Sequence, residues 1–204
     1  PALPIVWGGW HPSLFARETV ADAPISASIQ GQGERPFAAV VTAVRDRQGW
    51  AGVAGVTCRT PEGEIRSTPA DAPAALDTFR AMDYGAIPVE RYFALKRQRQ
   101  LDYVTSQGCH FRCGFCADPT VYQRTWSGLS PERVVDELAW LEQRYDVRDV
   151  ACQDETFFTH PARVLSIAEG LLAHQTRFTW MATMRADQGA RLGDNHISER
   201  GKTR

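Results

Sequence analysis

The stretch QLDYVTSQGCHFRCGFC, residues 100–116, joins a short strand-like segment to three closely spaced cysteines. QLDYVTS predicts a β-strand, and Cys109, Cys113 and Cys116 follow it in one loop. Three thiols within eight positions are more than packing explains, and thiolates are strong metal ligands. The sequence therefore predicts a site for a metal or a metal cluster directly after a strand.

The residues after this loop alternate between predicted helices and strands. Ser130 followed by Pro131 is typical of a helix start, and the helix that follows has one apolar side. RDVACQ and RFTWMATMR predict two further strands, and residues 160–173 between them predict a second amphipathic helix. Strands and helices that alternate with short links predict an α/β fold with parallel strands and right-handed crossovers.

Polar residues follow each of the two later strands. Gln153, Asp154 and Glu155 come after the second strand, and Arg185 and Asp187 come after the third. Active sites of parallel β/α folds gather at the carboxyl ends of the strands, so we expect these residues and the cysteine loop at one edge. The alternatives are a charge pattern at a helix start for the acids and a surface ion pair for the arginine.

Residues 1–47 show another alternation of strands and helices. PIVWGG and APISASIQGQGE each predict a strand that ends in a glycine turn, and each is followed by a predicted helix. The predicted apolar face of the second helix consists of Phe37, Val40, Val41 and Val44. Residues 48–98 predict a hairpin, turned at Pro61-Glu62-Gly63, and then a connecting segment rich in Pro, Ala and charge.

The composition is that of an ordinary globular protein. The chain has 204 residues, of which 43% are hydrophobic and 23% charged, with a formal net charge of −1. This balance gives no sign of a nucleic-acid partner, and no apolar run reaches the about 18 residues of a membrane span.

Clustered cysteines favour a reducing, cytoplasmic location. The abrupt ends, including the polar residues 193–204, predict a fragment of a longer protein.

Two kinds of metal site are considered for the three thiols. Structural zinc takes four closed ligands, usually as two pairs, and no second pair accompanies these cysteines. Cys58 and Cys152 stand alone in the sequence, and we interpret them as small buried apolar residues. A 4Fe–4S cluster with one open iron explains three thiolates directly. We therefore favour an iron–sulfur cluster and keep zinc as the alternative.

The spacing Cys-x3-Cys-x2-Cys, with Phe115 before the last cysteine, resembles the signature of radical S-adenosylmethionine (SAM) enzymes. The resemblance covers roughly residues 99–192 and implies the first three βα units of a partial TIM-type barrel. It implies a 4Fe–4S cluster on the three cysteines, SAM bound at the open iron, and reductive cleavage of SAM to a 5′-deoxyadenosyl radical. It also implies that Phe111 and Phe115 pack beside the cluster.

The resemblance suggests residues for SAM binding as well. The Gly-Gly-Glu motif that touches the methionine amine in this family corresponds here to Gln153-Asp154-Glu155. The contact would then pass to Asp154 or Glu155. Arg185, after the third strand, would hold the SAM carboxylate or the substrate.

Residues 1–47 resemble the C-terminal part of the Rossmann-like cobalamin-binding domain that precedes the radical SAM core in one subclass. The match depends on Gly8 and Gly9 after the first strand and on Gly31 and Gly33 after the second. These turns would let the chain approach the nucleotide tail of cobalamin closely. Ordinary glycine turns of a doubly wound sheet are the alternative. The Asp-x-His-x-x-Gly segment that ligates cobalt in many members does not occur in this sequence.

The resemblance implies an enzyme that acts on a small-molecule substrate and receives electrons from a donor such as flavodoxin or ferredoxin. Methyl transfer and radical oxidation or cyclisation both stay open. The competing class is a non-catalytic zinc or iron–sulfur binding module, and a simple nucleotide-binding α/β protein would leave the cysteines unexplained. The predicted segments are a partial cobalamin-binding domain (1–47), a hairpin and linker (48–98), a partial radical SAM domain (99–192) and an atypical polar tail (193–204).

Overall fold

The computed structural model describes residues 3–22 and 24–190, so the predicted polar tail lies outside the described residues. The chain divides into two compact units. The first unit combines the residues up to Ala74 with Gly108–Thr125, and the second combines Ala75–Gln107 with the residues from Trp126 onward. The cysteine loop therefore belongs to the same unit as the first third of the chain, a non-local association that the predicted segments do not contain. The segment boundaries themselves stay a prediction.

The elements follow the predicted alternation closely. The strands are β1 (Ile5–Trp7), β2 (Ile25–Ile29), β3 (Val56–Arg59), β4 (Ile65–Ser67), β5 (Gln100–Tyr103), β6 (Ser106–Gly108), β7 (Trp126–Gly128), β8 (Asp149–Cys152) and β9 (Thr179–Ala182). The helices are α1 (Trp10–Leu14), α2 (Ala16–Ala21), α3 (Glu34–Arg45), α4 (Val89–Lys96), α5 (Asp118–Val121), α6 (Pro131–Tyr145) and α7 (Pro161–Ala173). Over the described part of the chain, no helix combines the length and the apolarity that crossing a membrane requires.

The first unit is built on a four-stranded sheet in the order β1-β2-β3-β4. β1 and β2 are parallel, whereas β2, β3 and β4 pair antiparallel. The predicted hairpin is confirmed, because the amide of Gly63 donates to the carbonyl of Thr60 in the turn between β3 and β4. One core cluster of this unit consists of Ala27, Ile29, Val40, Val56 and Cys58, and other buried apolar side chains, such as Val20 and Val121, lie outside it.

The predicted apolar face of α3 is only partly used. Val40 is buried in the core of the first unit, and Ala43 is buried beside it on the same helix. Phe37, Val41 and Val44 are exposed.

The second unit holds the three predicted parallel strands in the order β5-β8-β9. Leu101, Val150 and Trp180 lie side by side across the sheet, and both strand pairs are parallel. Burial alternates along β5 and β9, whereas β8 is buried from Val150 to Cys152. Leu101, Val150 and Trp180 lie on the face of the sheet that packs in one core with α6 and α7. The starts of both helices match the predicted proline positions, Pro131 and Pro161.

The helix α4 lies in the segment predicted as a linker, where no helix was predicted. Val89 and Phe93 of this helix join the core of the second unit together with Leu76 and Tyr84. The Pro- and Ala-rich composition around it hid the apolar spacing of this two-turn helix. The helix ends at Lys96, and the next residue, Arg97, caps it with a φ of 55° in the left-handed region.

Candidate cofactor site

The cysteine loop begins at Gly108, a position that requires glycine. Its φ is 82°, and a Cβ atom there would clash with the carbonyl oxygen of Thr125 and lie 3.1 Å from the Cβ atom of Tyr122. The absence of a side chain therefore lets the start of the loop pass directly against its end. Nothing in the sequence except the glycine itself indicated this contact.

The three predicted ligands lie on one loop, and none of them is part of a disulfide. Cys109 is buried, Cys113 is partly buried and Cys116 is exposed, and the amide of Cys116 donates to the carbonyl of Cys113 at 3.1 Å. Burial raises the pKa of the Cys109 thiol, and the charge of the buried Asp118 raises it further. Thiols bind metal as thiolates, so ligation has to displace the proton that burial favours.

The thiols are not gathered into a cage. Within residues 3–22 and 24–190, no three His, Cys, Asp or Glu side chains are already arranged to hold a metal ion. The fit to a cluster therefore comes from donor chemistry: three cysteine thiols on one loop are the ligands that iron–sulfur clusters take.

The other two cysteines differ from these three. Cys58 and Cys152 are buried in strands β3 and β8, as expected for small apolar residues. Burial raises the pKa of Cys58, and burial with the nearby Asp154 charge raises the pKa of Cys152 to about 12. Both therefore remain neutral thiols near physiological pH.

The two phenylalanines of the loop, Phe111 and Phe115, differ in their exposure to solvent. Phe115 is 94% exposed, whereas Phe111 is partly buried and stacks on His110 with ring centroids 4.4 Å apart. Packing of Phe111 and Phe115 beside a cluster stays a prediction.

The glycine turns predicted for cobalamin share one edge of the first sheet. Gly8 and Gly9 follow β1, Gly31 and Gly33 follow β2, and the two strands are parallel neighbours. Gly9 and Gly31 have φ angles of 98° and 68°, which favour glycine, whereas Gly8 and Gly33 lie outside that region. Two of the four glycines are therefore required by the backbone itself. Cobalamin binding at this edge stays a prediction.

Ser13 connects the two glycine turns, and the sequence analysis missed it. Its hydroxyl donates to the carbonyl of Gly9 at 2.7 Å and accepts from the amide of Gly31 at 2.9 Å. The link depends on the parallel pairing of β1 and β2, which a single serine in a helical segment does not signal.

The glycine edge also lies beside the segment that follows the cysteines. A Cβ atom on Gly31 would be 3.4 Å from the carbonyl oxygen of Val121. The rings of Trp10 and Tyr122 meet edge to face with centroids 6.3 Å apart. The first unit thus brings the glycine turns and the end of the cysteine loop together.

The predicted SAM residues after β8 point in different directions. Asp154 is 2% exposed, and its carboxylate accepts hydrogen bonds from the Thr105 amide at 2.7 Å and from the hydroxyls of Thr105 and Ser106 at 2.5 Å each. Gln153 is exposed and donates through its side-chain amide to Asp102 at 2.9 Å. Glu155 is partly buried.

Arg185 follows β9 and is paired with Asp187. Its Nε atom donates to the carboxylate at 2.9 Å, and both side chains remain partly accessible to solvent. This ion pair is the alternative considered for Arg185 from the sequence. A contact of Arg185 with SAM or substrate stays a prediction.

Arg163 of α7 is a second feature that the sequence did not indicate. Its guanidinium donates to the carbonyls of Leu129 and Thr105 at 2.9 Å each, and its Cζ atom lies 5.6 Å from the centroid of the Trp126 ring. Burial lowers the pKa of Arg163, and the charge of Asp154 opposes that change. The second unit therefore contains an acid and a base on either side of Thr105.

Comparison with curated proteins identifies two relatives. The chain is 28% identical over 188 residues to an uncharacterized methyltransferase of Pyrococcus horikoshii, covering 90% of this chain and 40% of that protein. It is 25% identical over 195 residues to the anaerobic magnesium-protoporphyrin IX monomethyl ester cyclase of Synechocystis, covering 95% and 39%. The chain spans about two fifths of the length of these relatives, both of which are enzymes. No protein-family model matches the sequence.

Solved structures with the same fold are cobalamin and SAM enzymes. The radical SAM methyltransferase TsrM of Kitasatospora setae, with tryptophan and the SAM analogue aza-SAM bound, matches with a TM-score of 0.67 and 22% identity over 84% of this chain and 33% of that chain. TsrM has also been solved with cobalamin and a [4Fe-4S] cluster, with a TM-score of 0.63 and 22% identity over 83% and 33% of the two chains. The cobalamin-dependent SAM radical enzyme OxsB, with aqua-cobalamin and SAM, gives a TM-score of 0.69 and 21% identity over 90% and 26%. This chain therefore has the fold of one part of the cobalamin-dependent radical SAM enzymes, and the resemblance predicted from its cysteine loop is confirmed.

Proposed function

We propose that this chain is part of a cobalamin-dependent radical SAM enzyme that acts on a small organic molecule. The observation that carries the proposal is the loop with three cysteines outside any disulfide, Cys109, Cys113 and Cys116. This loop belongs to the unit that also contains the glycine turns. The similarity to enzymes of that type supports the assignment.

The three cysteines would be the only protein ligands of a 4Fe–4S cluster. When bound, such a cluster supplies one electron to SAM and an open iron that binds its amino and carboxylate groups. Cys109 would anchor the cluster from a buried position, while the exposed Cys116 would close on it from the solvent side. The exposed Phe115 beside Cys116 would then exclude water from the cluster.

Among the residues predicted for SAM, the hydrogen bonds favour Glu155 over Asp154 for the methionine amine. The carboxylate of Asp154 already accepts three hydrogen bonds in a buried position. Using it for SAM would leave buried donors of Thr105 and Ser106 without an acceptor. Gln153 and Arg185 complete the proposed SAM contacts, and Arg185 would exchange Asp187 for the SAM carboxylate.

We propose cobalamin at the glycine edge formed by Gly8, Gly9, Gly31 and Gly33. Backbone without side chains can approach a nucleotide tail closely, and two of the four glycines hold φ angles that few other residues adopt. The first unit would then be the C-terminal part of a Rossmann-like domain. The strands β5, β8 and β9 would be the first three βα units of a partial TIM-type barrel.

The reaction of the whole protein is proposed only as a class. One curated relative is a methyltransferase and the other is a cyclase, so methylation and radical oxidation or cyclisation are both consistent with the chain. Either reaction would take electrons from a small donor protein such as flavodoxin or ferredoxin. A reduced cluster is preserved most readily in the cytoplasm, where we place the protein.

The proposal is tested by anaerobic reconstitution with iron and sulfide, followed by dithionite and SAM. We expect the reconstituted chain to be brown with broad visible absorbance, and the longer protein that contains it to form 5′-deoxyadenosine, measured by chromatography. Cys113→Ala should lose both the colour and the product, whereas Cys58→Ala should keep both, because Cys58 is a buried structural thiol. A colourless protein that holds one tightly bound zinc would contradict the proposal.

A further inference from the structure

The segment that carries the three cysteines leaves the second unit and returns to it at one place. β6 leads into the loop, β7 leads out of it, and the two strands form a two-stranded sheet. Next to this sheet, the amide of Leu129 donates to the carbonyl of Thr105 at 2.8 Å. We call this hydrogen-bonded pair, Thr105 and Leu129, the foot of the loop. Both residues are buried, and Thr105 is fully so.

Asp154 binds the two residues, Thr105 and Ser106, through which the chain enters the cysteine loop. Asp154, directly after β8, accepts from the backbone amide and hydroxyl of Thr105 and from the hydroxyl of Ser106. Ser106 is three residues before Cys109, so the carboxylate of Asp154 holds the chain directly ahead of the loop. A buried carboxylate is tolerated only with such partners, because removing them would leave the charge unsatisfied.

Arg163 binds both residues of the foot through their carbonyl groups. Arg163 donates through Nη2 to the carbonyl of Thr105 and through Nε to the carbonyl of Leu129. The guanidinium therefore joins the entry and the exit of the segment with its fixed, planar set of donors. Asp154 and Arg163 bind opposite ends of the Thr105 residue, its amide and its carbonyl.

We propose that Asp154 and Arg163 form a loop clamp, a pair of positioning residues that ties the two ends of the cysteine-bearing segment and so stabilises the bound cluster. Closing the ends of a flexible segment removes chain entropy that cluster binding would otherwise have to overcome. The clamp rests on the proposed function. It gives Asp154 a role different from a direct contact with the SAM amine.

The clamp itself is tested without a cluster, by amide hydrogen exchange of the purified protein. Asp154→Asn removes the charge facing Thr105, and Arg163→Met removes both donors while keeping a similar length. Each should speed exchange of the Thr105 and Leu129 amides about tenfold or more, since charge-assisted hydrogen bonds are lost. Exchange at the parent rate in both variants would overturn the clamp.

Matched controls come from a second acid–base pair of the same unit. Glu137 accepts from the Tyr103 hydroxyl and from Arg133, so it is a partly buried carboxylate that contacts β5 but not the foot of the loop. Glu137→Gln and Arg133→Met should leave exchange of Thr105 and Leu129 within about twofold of the parent, because their effects stay local.

The role in holding the cluster is tested in the reconstituted protein without SAM. Iron loss to a ferrous chelator should be about tenfold faster in Asp154→Asn and Arg163→Met than in the parent and in the two controls. The double variant should lose iron more slowly than the product of the two single effects, since both residues hold Thr105. Electron paramagnetic resonance of the reduced cluster should also change in the clamp variants and stay unchanged in the controls.

The outcomes separate this inference from the proposed function. A parent protein that takes up no iron contradicts the proposed function and removes the clamp's role with it. A parent that holds a cluster, with Asp154→Asn losing iron at the parent rate but binding SAM more weakly, overturns the clamp alone. That result would instead assign Asp154 to SAM.

Discussion

The two units of the chain are stabilised to very different extents by buried apolar side chains. Among the described residues, the core cluster of the second unit contains nineteen buried side chains, whereas that of the first unit contains five. The first unit also exposes large aromatic side chains, among them Trp7, Trp10 and Phe37. Because burial of apolar surface is the main stabilising term, the second unit is the more stable scaffold. The glycine turns and the three cysteines all lie in the unit with the smaller core cluster.

Because of this difference, we expect substitutions in the two units to affect different properties, stability in one and cofactor binding in the other. Substitutions in the core of the second unit should lower the free energy of unfolding of the chain. Substitutions in the first unit should have smaller effects on unfolding and larger effects on the retention of cofactors. The following substitutions test that separation, from the largest expected effect on stability to the smallest.

The largest effect is expected at Leu171 of α7, which is 5% exposed in the core of the second unit. Leu171→Ala should lower the free energy of unfolding by about 2–5 kcal/mol, because it removes buried carbon atoms and leaves a cavity. The neighbouring Leu172 is 49% exposed, so Leu172→Ala should change stability by no more than about 0.5 kcal/mol. Urea denaturation measures both. Equal effects at the two positions would show that this core does not stabilise the chain.

An intermediate effect is expected at the start of the cysteine loop. Gly108→Ala places a Cβ atom against the carbonyl of Thr125 at a φ of 82°, which should destabilise the local backbone by about 1–3 kcal/mol. Iron retention after reconstitution should fall with it.

Gly114 in the same loop is the control for this substitution. A Cβ atom there meets nothing within 4 Å, and its φ is outside the left-handed region, so Gly114→Ala should keep the iron. Loss of iron in both variants would mean that the loop is sensitive to any added side chain rather than to the contact at Gly108.

The smallest effect is expected at Ser13, which links the two glycine turns. Ser13→Ala loses two hydrogen bonds of a partly exposed hydroxyl and should lower stability by about 1 kcal/mol. Hydroxocobalamin binding, followed by its absorbance, should weaken in parallel. Ser166→Ala on the exposed side of α7 should change neither quantity. Unchanged cobalamin binding in Ser13→Ala would move the cobalamin site away from this edge.

Local sequence patterns were sufficient to predict much of this structure. The cysteine loop, the glycine turns and the alternation of β5, α6, β8, α7 and β9 follow from spacing, apolar periodicity and proline positions. Such features depend on neighbours within a few residues, which a sequence shows directly.

Non-local contacts account for what the sequence did not indicate. The helix α4 takes its apolar partners from elsewhere in the second unit, and the association of the cysteine loop with the first unit depends on contacts such as the one between Gly31 and Val121. The burial of Asp154 depends on Thr105, which is 49 residues away along the chain. Contacts of this kind have no signature in local spacing.

The most direct test of the central claim is the iron content of five single cysteine variants after anaerobic reconstitution. We predict about four iron atoms per chain in the parent, in Cys58→Ala and in Cys152→Ala, because these two thiols are buried and neutral. Cys109→Ala, Cys113→Ala and Cys116→Ala should each reduce the iron to near zero. Iron that persists without the three loop cysteines, or a parent that binds one zinc ion instead, would contradict the account.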